Sequence, residues 1–261
     1  MIKLAIPAAV LALSLLASSL QAAEPVASQD GSATLGAGLA IAPEYAGAAK
    51  SRVFAVPLAD YHSAGGFFAS ITRGIGIQGK EGSLDLSAAL AYASDRKDKR
   101  DALSMGSDAL KGMGSISGAA VAKLGAVLDL GGMQLKASAE LALSHVARGN
   151  AYQFGAGMPL FASAADQLAV GISADYSDGS NAQTFFGVTA AQSAASGYKA
   201  FTAKAGFEKF GAALNCHHTI DANWSASSML GLASLAGDAA NSPLTKRKNS
   251  LVWLSTLNYK F

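Results

Sequence analysis

The sequence predicts an all-β protein, an antiparallel transmembrane β-barrel of about twelve strands, with ten as the fallback. Three observations lead there. Of 261 residues, 51% are hydrophobic and only 15% charged, yet beyond the first segment no stretch approaches the roughly 18 apolar residues that a membrane helix needs. The apolar residues instead recur at every second position, the period of a two-faced strand. The chain also ends on an aromatic residue, and its punctuation alternates between tight Gly/Asp turns and long polar loops.

The first segment reads as an address. Lys3 supplies a positive start, Leu4 to Leu20 an apolar core and Gln21-Ala22-Ala23 a small-residue cleavage region. We expect residues 1–22 to be a secretory signal peptide and 23–261 to be one barrel domain. Export would take the mature chain to the cell outer membrane. A formal net charge of +2 argues against an electrostatic nucleic-acid binder. A single Cys excludes a disulfide framework or a thiolate metal cluster.

Period two then runs down the chain. In 133–145, Met133, Leu135, Ala137, Ala139, Leu141 and Leu143 share one face, opposite Gln134, Lys136, Ser138, Glu140 and Ser144. Leu84, Leu86, Ala88, Leu90 and Tyr92 form another such face, as do Leu168, Val170, Ile172, Ala174 and Tyr176. In 116–130, Lys123 and Asp129 oppose Leu124, Leu128 and Leu130. The last strand places Leu251, Trp253, Leu257, Tyr259 and Phe261 on one side, toward lipid, and Asn258 and Lys260 on the other. A secreted β-sandwich is the competing fold, but its strands would rarely carry both Lys and Glu along one long face. Strand windows fall at 33–41, 52–60, 66–78, 84–93, 116–130, 133–146, 152–162, 168–177, 205–220, 224–236 and 250–261. That is an odd number, and a barrel with both ends on one side needs an even one. Splitting 66–78 near Gly74 restores parity.

Gly79–Gly82, Gly131-Gly132 and Asp221–Asn223 read as tight hairpin turns, expected in the periplasm. Longer segments at 94–115, 178–204 and 237–249 read as outer loops. Candidate chemistry is sparse. His217 and His218 are neighbours on a strand, so they point to opposite faces and cannot share a metal. His62 and His145 fall near strand ends. Residues 74–79, GIGIQG, match a dinucleotide fingerprint formally, but an alternating strand follows where a helix is required. No G-x-S-x-G elbow occurs. We therefore expect no catalytic, cofactor or metal residues and no enzyme. Arg96, Lys97, Lys99 and Arg100 alternate with acids as a solvated loop does, or as a contact for lipopolysaccharide phosphates or a partner protein would. Lys246-Arg247-Lys248 suits phosphate contact more clearly. The predicted inner wall carries Lys123, Asp129, Lys136, Glu140, Asp175 and Lys260, which fits either a wet channel or a salt-bridged plug.

Several blocks, in order, resemble the MipA/OmpV family of outer-membrane proteins, named for the MltA-interacting protein. Ala42-Pro43-Glu44-Tyr45-Ala46-Gly47 resembles its A-P-E-Y-x-G loop, and Gly65 to Ser70 followed by Arg73 to Gly76 resembles the next block. Leu110-Lys111-Gly112-Met113-Gly114 resembles L-x-G-M/L-G. Phe185-Phe186-Gly187-Val188-Thr189 with Ala194 to Gly197 resembles Y/F-F-G-V-T…A-x-S-G. Leu235 to Pro243, including Asp238, Ser242 and Pro243, resembles L-x-G-D-A-A-D/N-S-P, and Tyr259 and Phe261 fit the Y-x-F end that serves as a C-terminal insertion signal. Phe185 stands where Tyr is common. The resemblance implies a non-enzymatic outer-membrane barrel without a cofactor, inserted by the barrel assembly machinery and surrounded by lipid and lipopolysaccharide. It also implies a scaffold joining a lytic transglycosylase to a bifunctional murein synthase. Other members are linked to envelope stress, adhesion or antibiotic response, and a passive small-solute pore is the alternative from another class. The motif loops Pro43–Gly47, Phe185–Thr189 and Asp238–Pro243 are expected to be plugs or outer-surface features.

Overall fold

The computed structural model describes residues 31–100 and 105–261; the expected signal peptide lies outside them. Twelve antiparallel strands close into one barrel. They are β1 (Ser32–Pro43), β2 (Ser51–His62), β3 (Phe67–Ser70), β4 (Gly74–Glu81), β5 (Leu84–Ala93) and β6 (Ala119–Asp129). The circuit continues with β7 (Gln134–Ala142), β8 (Ala151–Ala162), β9 (Asp166–Ser177), β10 (Gly206–Thr219), β11 (Trp224–Leu235) and β12 (Asn249–Lys260). β12 then pairs with β1, from Thr34 opposite Lys260 to Ile41 opposite Trp253. Both barrel ends therefore lie beside the short turns, the side that faces the periplasm in such barrels.

The parity argument holds, and its physical basis is visible. Ile71–Arg73 reverse the chain between β3 and β4, and Gly74 follows at φ +93°, its backbone pressed against Leu90 and Ala91 of β5. A side chain would fit neither the dihedral nor the contact. The predicted windows differ from the strands mainly at their ends. Gly79 to Glu81 belong to β4, so the turn there is Gly82-Ser83. The window 133–146 stops at Ala142, because Ser144 turns back to cap Ala120 N–H at 2.8 Å.

Alternation sorts the wall as expected. Leu35, Leu39 and Ile41 of β1 face out, whereas Ala40 and Ala42 are buried inside. Leu251, Trp253, Leu257 and Tyr259 share the outer face of β12, with Val252 and Thr256 buried on the inner one. Aromatic rings gather at both rims, where their amphipathic character suits the membrane interface. Trp224 and Tyr259 meet at 5.0 Å and Tyr259 and Phe261 at 4.9 Å by the turns. Tyr152, Tyr176, Phe207 and Phe210 form a chain of contacts by the loops. This is a transmembrane barrel of the outer-membrane type. Leu230 projects outward from the middle of β11, so Leu230→Arg should cost ~2–4 kcal/mol. At Leu257, only three residues from the end of β12, the same change should cost nearer ~1 kcal/mol. Denaturant titration of the barrel refolded in lipid checks both.

Two strands break the alternation: β8, whose register with β9 shifts between Pro159 and Phe161, and β10. Between Asp175 and Tyr176 the β9–β10 register shifts, pairing Asp175 with Lys209 and Tyr176 with Phe207. Glu208 is the extra residue of this bulge. The bulge turns Phe207 and Phe210 both toward lipid, while Glu208 and Lys209 sit together inside.

Candidate functional site

The long loops do not stand off the barrel; they fold over its mouth. The loop after β9 contains two helices that sequence periodicity did not predict, α1 (Gly179–Phe186) and α2 (Ala190–Ser196). Asp178 caps α1 by accepting from Asn181 N–H, and Thr189 with Gln192 forms a capping box on α2. A third short helix, α3 (Gly237–Asn241), opens the loop after β11.

The motif loops converge in this cap. Tyr45 is 3% exposed, packed with Ala48, Leu110, Met113, Val188 and Leu244. Its hydroxyl donates to Leu244 O at 3.0 Å, linking residues 199 apart in sequence. Glu44 is also buried and accepts from Ser107 Oγ at 2.5 Å. Gly47 adopts φ +89°, and its carbonyl accepts from Lys246 N at 2.7 Å and Arg247 N at 3.1 Å. Pro43, by contrast, ends β1. Gly112 rests on the Ala195–Ser196 backbone of α2, and Gln192 donates to Met113 O at 2.7 Å. Gly114 has open space beside it.

A second cluster joins Phe186 and Ala182 of α1 to Ala203, Leu235 and Ala239. Ser242 Oγ donates to Phe186 O at 2.6 Å, Asp238 accepts from Lys204 N at 2.8 Å, and Pro243 O accepts from Lys246 Nζ at 3.0 Å. Gly187 ends α1 against the side chain of Gln183. Two guanidiniums, those of Arg96 and Arg148, lie over the Phe185 ring at 5.5 and 5.0 Å. Arg96 also donates to Phe185 O at 2.7 Å. Burial pulls its pKa down to about 10, with the neighbouring charge of Arg148 adding a smaller push the same way, so it stays charged at neutral pH.

The Tyr45 phenol responds in the other direction. Burial first, and then Tyr198 beside it, push its pKa up to about 12. A raised pKa means the folded cap prefers the neutral phenol. This contribution is therefore fully present below pH ~10, the value of a free phenol, and is lost as pH rises toward about 12. An ultraviolet phenolate titration of wild type against Tyr45→Phe should show one late-ionising tyrosine that the variant lacks.

Below the cap the lumen is crossed by side chains. Phe54, Val56, Met229 and Val252 pack with Ala40, Ala42 and Ala213 into an apolar cluster inside the wall. The opposite wall carries charge. Lys123 meets Glu140 at 3.8 Å and donates to Thr72 O at 3.1 Å. Asp175 binds Lys209 and accepts from Gln153 at 2.8 Å, while Ser177 donates to Glu208 at 2.5 Å. Of the predicted inner-wall residues, Lys123, Glu140 and Asp175 thus meet lumenal partners. Asp129 instead caps its own turn by accepting from Gly131 N at 2.8 Å, and Lys260 is exposed at the rim. Glu208 was invisible to an alternating reading, although two aromatics three apart with two charges between them are a legible bulge signal.

The histidines fall on separate faces. His217 meets Ser227 Oγ at 3.0 Å, and His218 meets Asp166 at 2.7 Å on the exposed side. His62 stacks on Phe68 and His145 starts a short 3-10 turn in a loop. Among the described residues no His, Cys, Asp and Glu group is arranged to hold a metal.

A twelve-stranded barrel with an apolar outer band, aromatic rims and a mouth closed by its own loops defines a class, the capped outer-membrane-type barrel. Within it, this chain belongs to the family described as MltA-interacting protein MipA, whose model matches residues 35–261. No curated protein matches the chain. Among solved structures it is similar to the anion-selective porin from Comamonas acidovorans (11% identity, TM-score 0.35, 80% of this chain and 60% of the porin). It is also similar to the CymD monoaromatic hydrocarbon channel (9% identity, TM-score 0.41, 89% of this chain and 88% of CymD). For Pseudomonas putida OprB the values are 14% identity and TM-score 0.38, over 80% of this chain and 59% of OprB.

Proposed function

We propose that this protein is a closed, non-catalytic barrel of the cell outer membrane that anchors a murein enzyme at the membrane's inner surface. The observation that carries the reading is the closure itself. Four motif-bearing loops are spent on plugging one another, and the lumen beneath is filled by an apolar cluster and paired charges. A passive pore would need that path open. With the mouth closed, the parts left for a partner are the short turns, and the family name points to a lytic transglycosylase of the MltA type. A bifunctional murein synthase would be the second member of such an assembly. Tyr259 and Phe261 close the last strand at that same rim, Phe261 N–H donating to Ala33 O at 2.9 Å, and there serve as the insertion signal read by the assembly machinery.

The turns Gly82-Ser83, Leu130–Met133 and Ile220–Asn223 are small against a standard interface of about 1,600 Å². Binding at the rim is accordingly weak and is strengthened by confinement of both partners to one membrane surface. Pull-downs of the lipid-reconstituted protein with a purified lytic transglycosylase test this. Lengthening the turn at Gly131-Gly132 should weaken capture, and deleting 238–243 should leave it intact. The reverse pattern would place the partner on the cap and overturn the reading.

A further inference from the structure

We propose that a notch in the barrel wall, at the outer rim between β2 and β5, binds a phosphorylated, acylated glycolipid of the lipid A class. The inference is independent of the murein-enzyme reading. Every residue of β2 pairs with β1, but only Asp60, Tyr61 and His62 pair with β3. The β3–β4 hairpin turns back early, and its tip is drawn inward. Ile71 packs on the lumenal apolar cluster, Thr72 O accepts from Lys123, and the Arg73 guanidinium lies 4.0 Å from the Phe68 ring centre. Above that tip the wall lacks the width of two strands. The upper edge of β2 faces the top of β5 with neither β3 nor β4 between them, and the gap is bridged above by the two-residue strand Met105–Gly106, which pairs with Arg96–Lys97.

The direction of that edge is fixed by one hydrogen bond. Ile71 N–H donates to Ala59 O at 3.0 Å, so Ala59 turns its polar groups away from β1. Alternation gives Val53, Ala55 and Pro57 the same orientation. Pro57 has no N–H to lose there, which is where a strand tolerates proline. Val53 and Ala55 do carry N–H groups, directed into the notch, and their side chains are exposed on the lipid face. Pure hydrocarbon against such an edge is costly, because it leaves backbone polar groups unpaired. A lipid with amide, hydroxyl and phosphate groups at the depth of the rim meets them.

The flanks supply the rest of the complementarity. Val53 is 61% exposed, and Ile75, Leu90 and Tyr92 line the opposite lip, an apolar seat for acyl chains. Above the notch the loop after β5 crosses back toward β1. Lys97 pairs with Gly106, the carbonyl of Lys99 lies beside Gly106, and Gly106 N–H donates to Glu44 O at 3.3 Å. Glu44 N–H in turn donates to Lys50 O at 3.1 Å. Exposed Lys50, Lys99 and Arg100 are thereby brought to one side of the cap, where phosphates of a lipid seated in the notch would lie, together with one exposed carboxylate, Asp108, which accepts from Arg100 N–H at 2.9 Å.

The test uses the full mature chain in phospholipid vesicles doped with a minor fraction of lipid A, with a photoreactive phenylalanine analogue at Ala55 or, as control, at outward-facing Leu232. Adducts from position 55 should be enriched in lipid A well above its bulk fraction, and those from position 232 should follow bulk composition. Lys50→Glu with Lys99→Glu should lower the enrichment by roughly tenfold or more, since each cation near an anionic surface is worth a factor of about five. Lys50→Gln with Lys99→Gln should lower it less, in the same direction, and heat-modifiable gel migration shows that each variant barrel is folded. Excess inorganic phosphate should leave the enrichment in place. Bulk composition at position 55, adducts to phospholipid in preference, cross-links to a second copy, or loss of the enrichment to inorganic phosphate would each overturn the proposal.

Discussion

Tyr45→Ala is expected to destabilise the protein by ~3–5 kcal/mol, the range for removing a large buried aromatic side chain. The ring fills the centre of the cap among Leu110, Met113, Val188 and Leu244, and its hydroxyl ties the first loop to the last. Tyr45→Phe keeps the packing and loses one hydrogen bond, which should cost only ~0.5–1.5 kcal/mol. The Ala variant should also loosen the cap as a unit. Hydrogen exchange at Leu110, Val188 and Leu244 should speed up in it, while exchange in β11 and β12 stays slow. Equal costs for the two variants would mean that the hydroxyl, and not the ring, holds the loops.

The second large effect lies inside the wall. Lys209→Met removes the cation that neutralises buried Asp175 and leaves that carboxylate with Gln153 as its remaining side-chain donor. Breaking a buried pair from one side typically costs ~3–5 kcal/mol, whereas replacing both partners is often close to neutral. Lys209→Met should therefore be strongly destabilising, and Lys209→Met with Asp175→Leu should recover most of the loss. A double-mutant cycle in denaturant measures it. Additive losses would show that water already reaches this part of the lumen and screens the pair.

The wall of this barrel was legible in the sequence because each strand has two unlike solvents, lipid and lumen, and the alternation of Leu251, Trp253 and Leu257 with Val252 and Thr256 reports that directly. Parity located the missing strand, and Gly74 marked the place. Legibility failed where the alternation itself is broken or where contacts span the chain. The Phe207–Phe210 bulge turned two neighbouring charges, Glu208 and Lys209, to the same side, which a strict period of two does not allow. Helices α1 and α2 are each about two turns long, too short for a periodic face, although Thr189 and Gln192 spell out a capping box. The notch escaped notice because the length of β3 is decided by where Ile71–Arg73 find lumenal partners, not by local propensity. The motif loops were readable as a set, with plugs or outer-surface features as the expectation, but nothing local predicts that Tyr45 reaches Leu244.

Closure of the barrel is the central claim, and planar-bilayer recording tests it most directly. Purified protein should insert silently, and deletion of residues 238–243, which removes the Ser242–Phe186 and Asp238–Lys204 ties, should produce ohmic steps. Steady ohmic conductance from the intact chain would contradict the account.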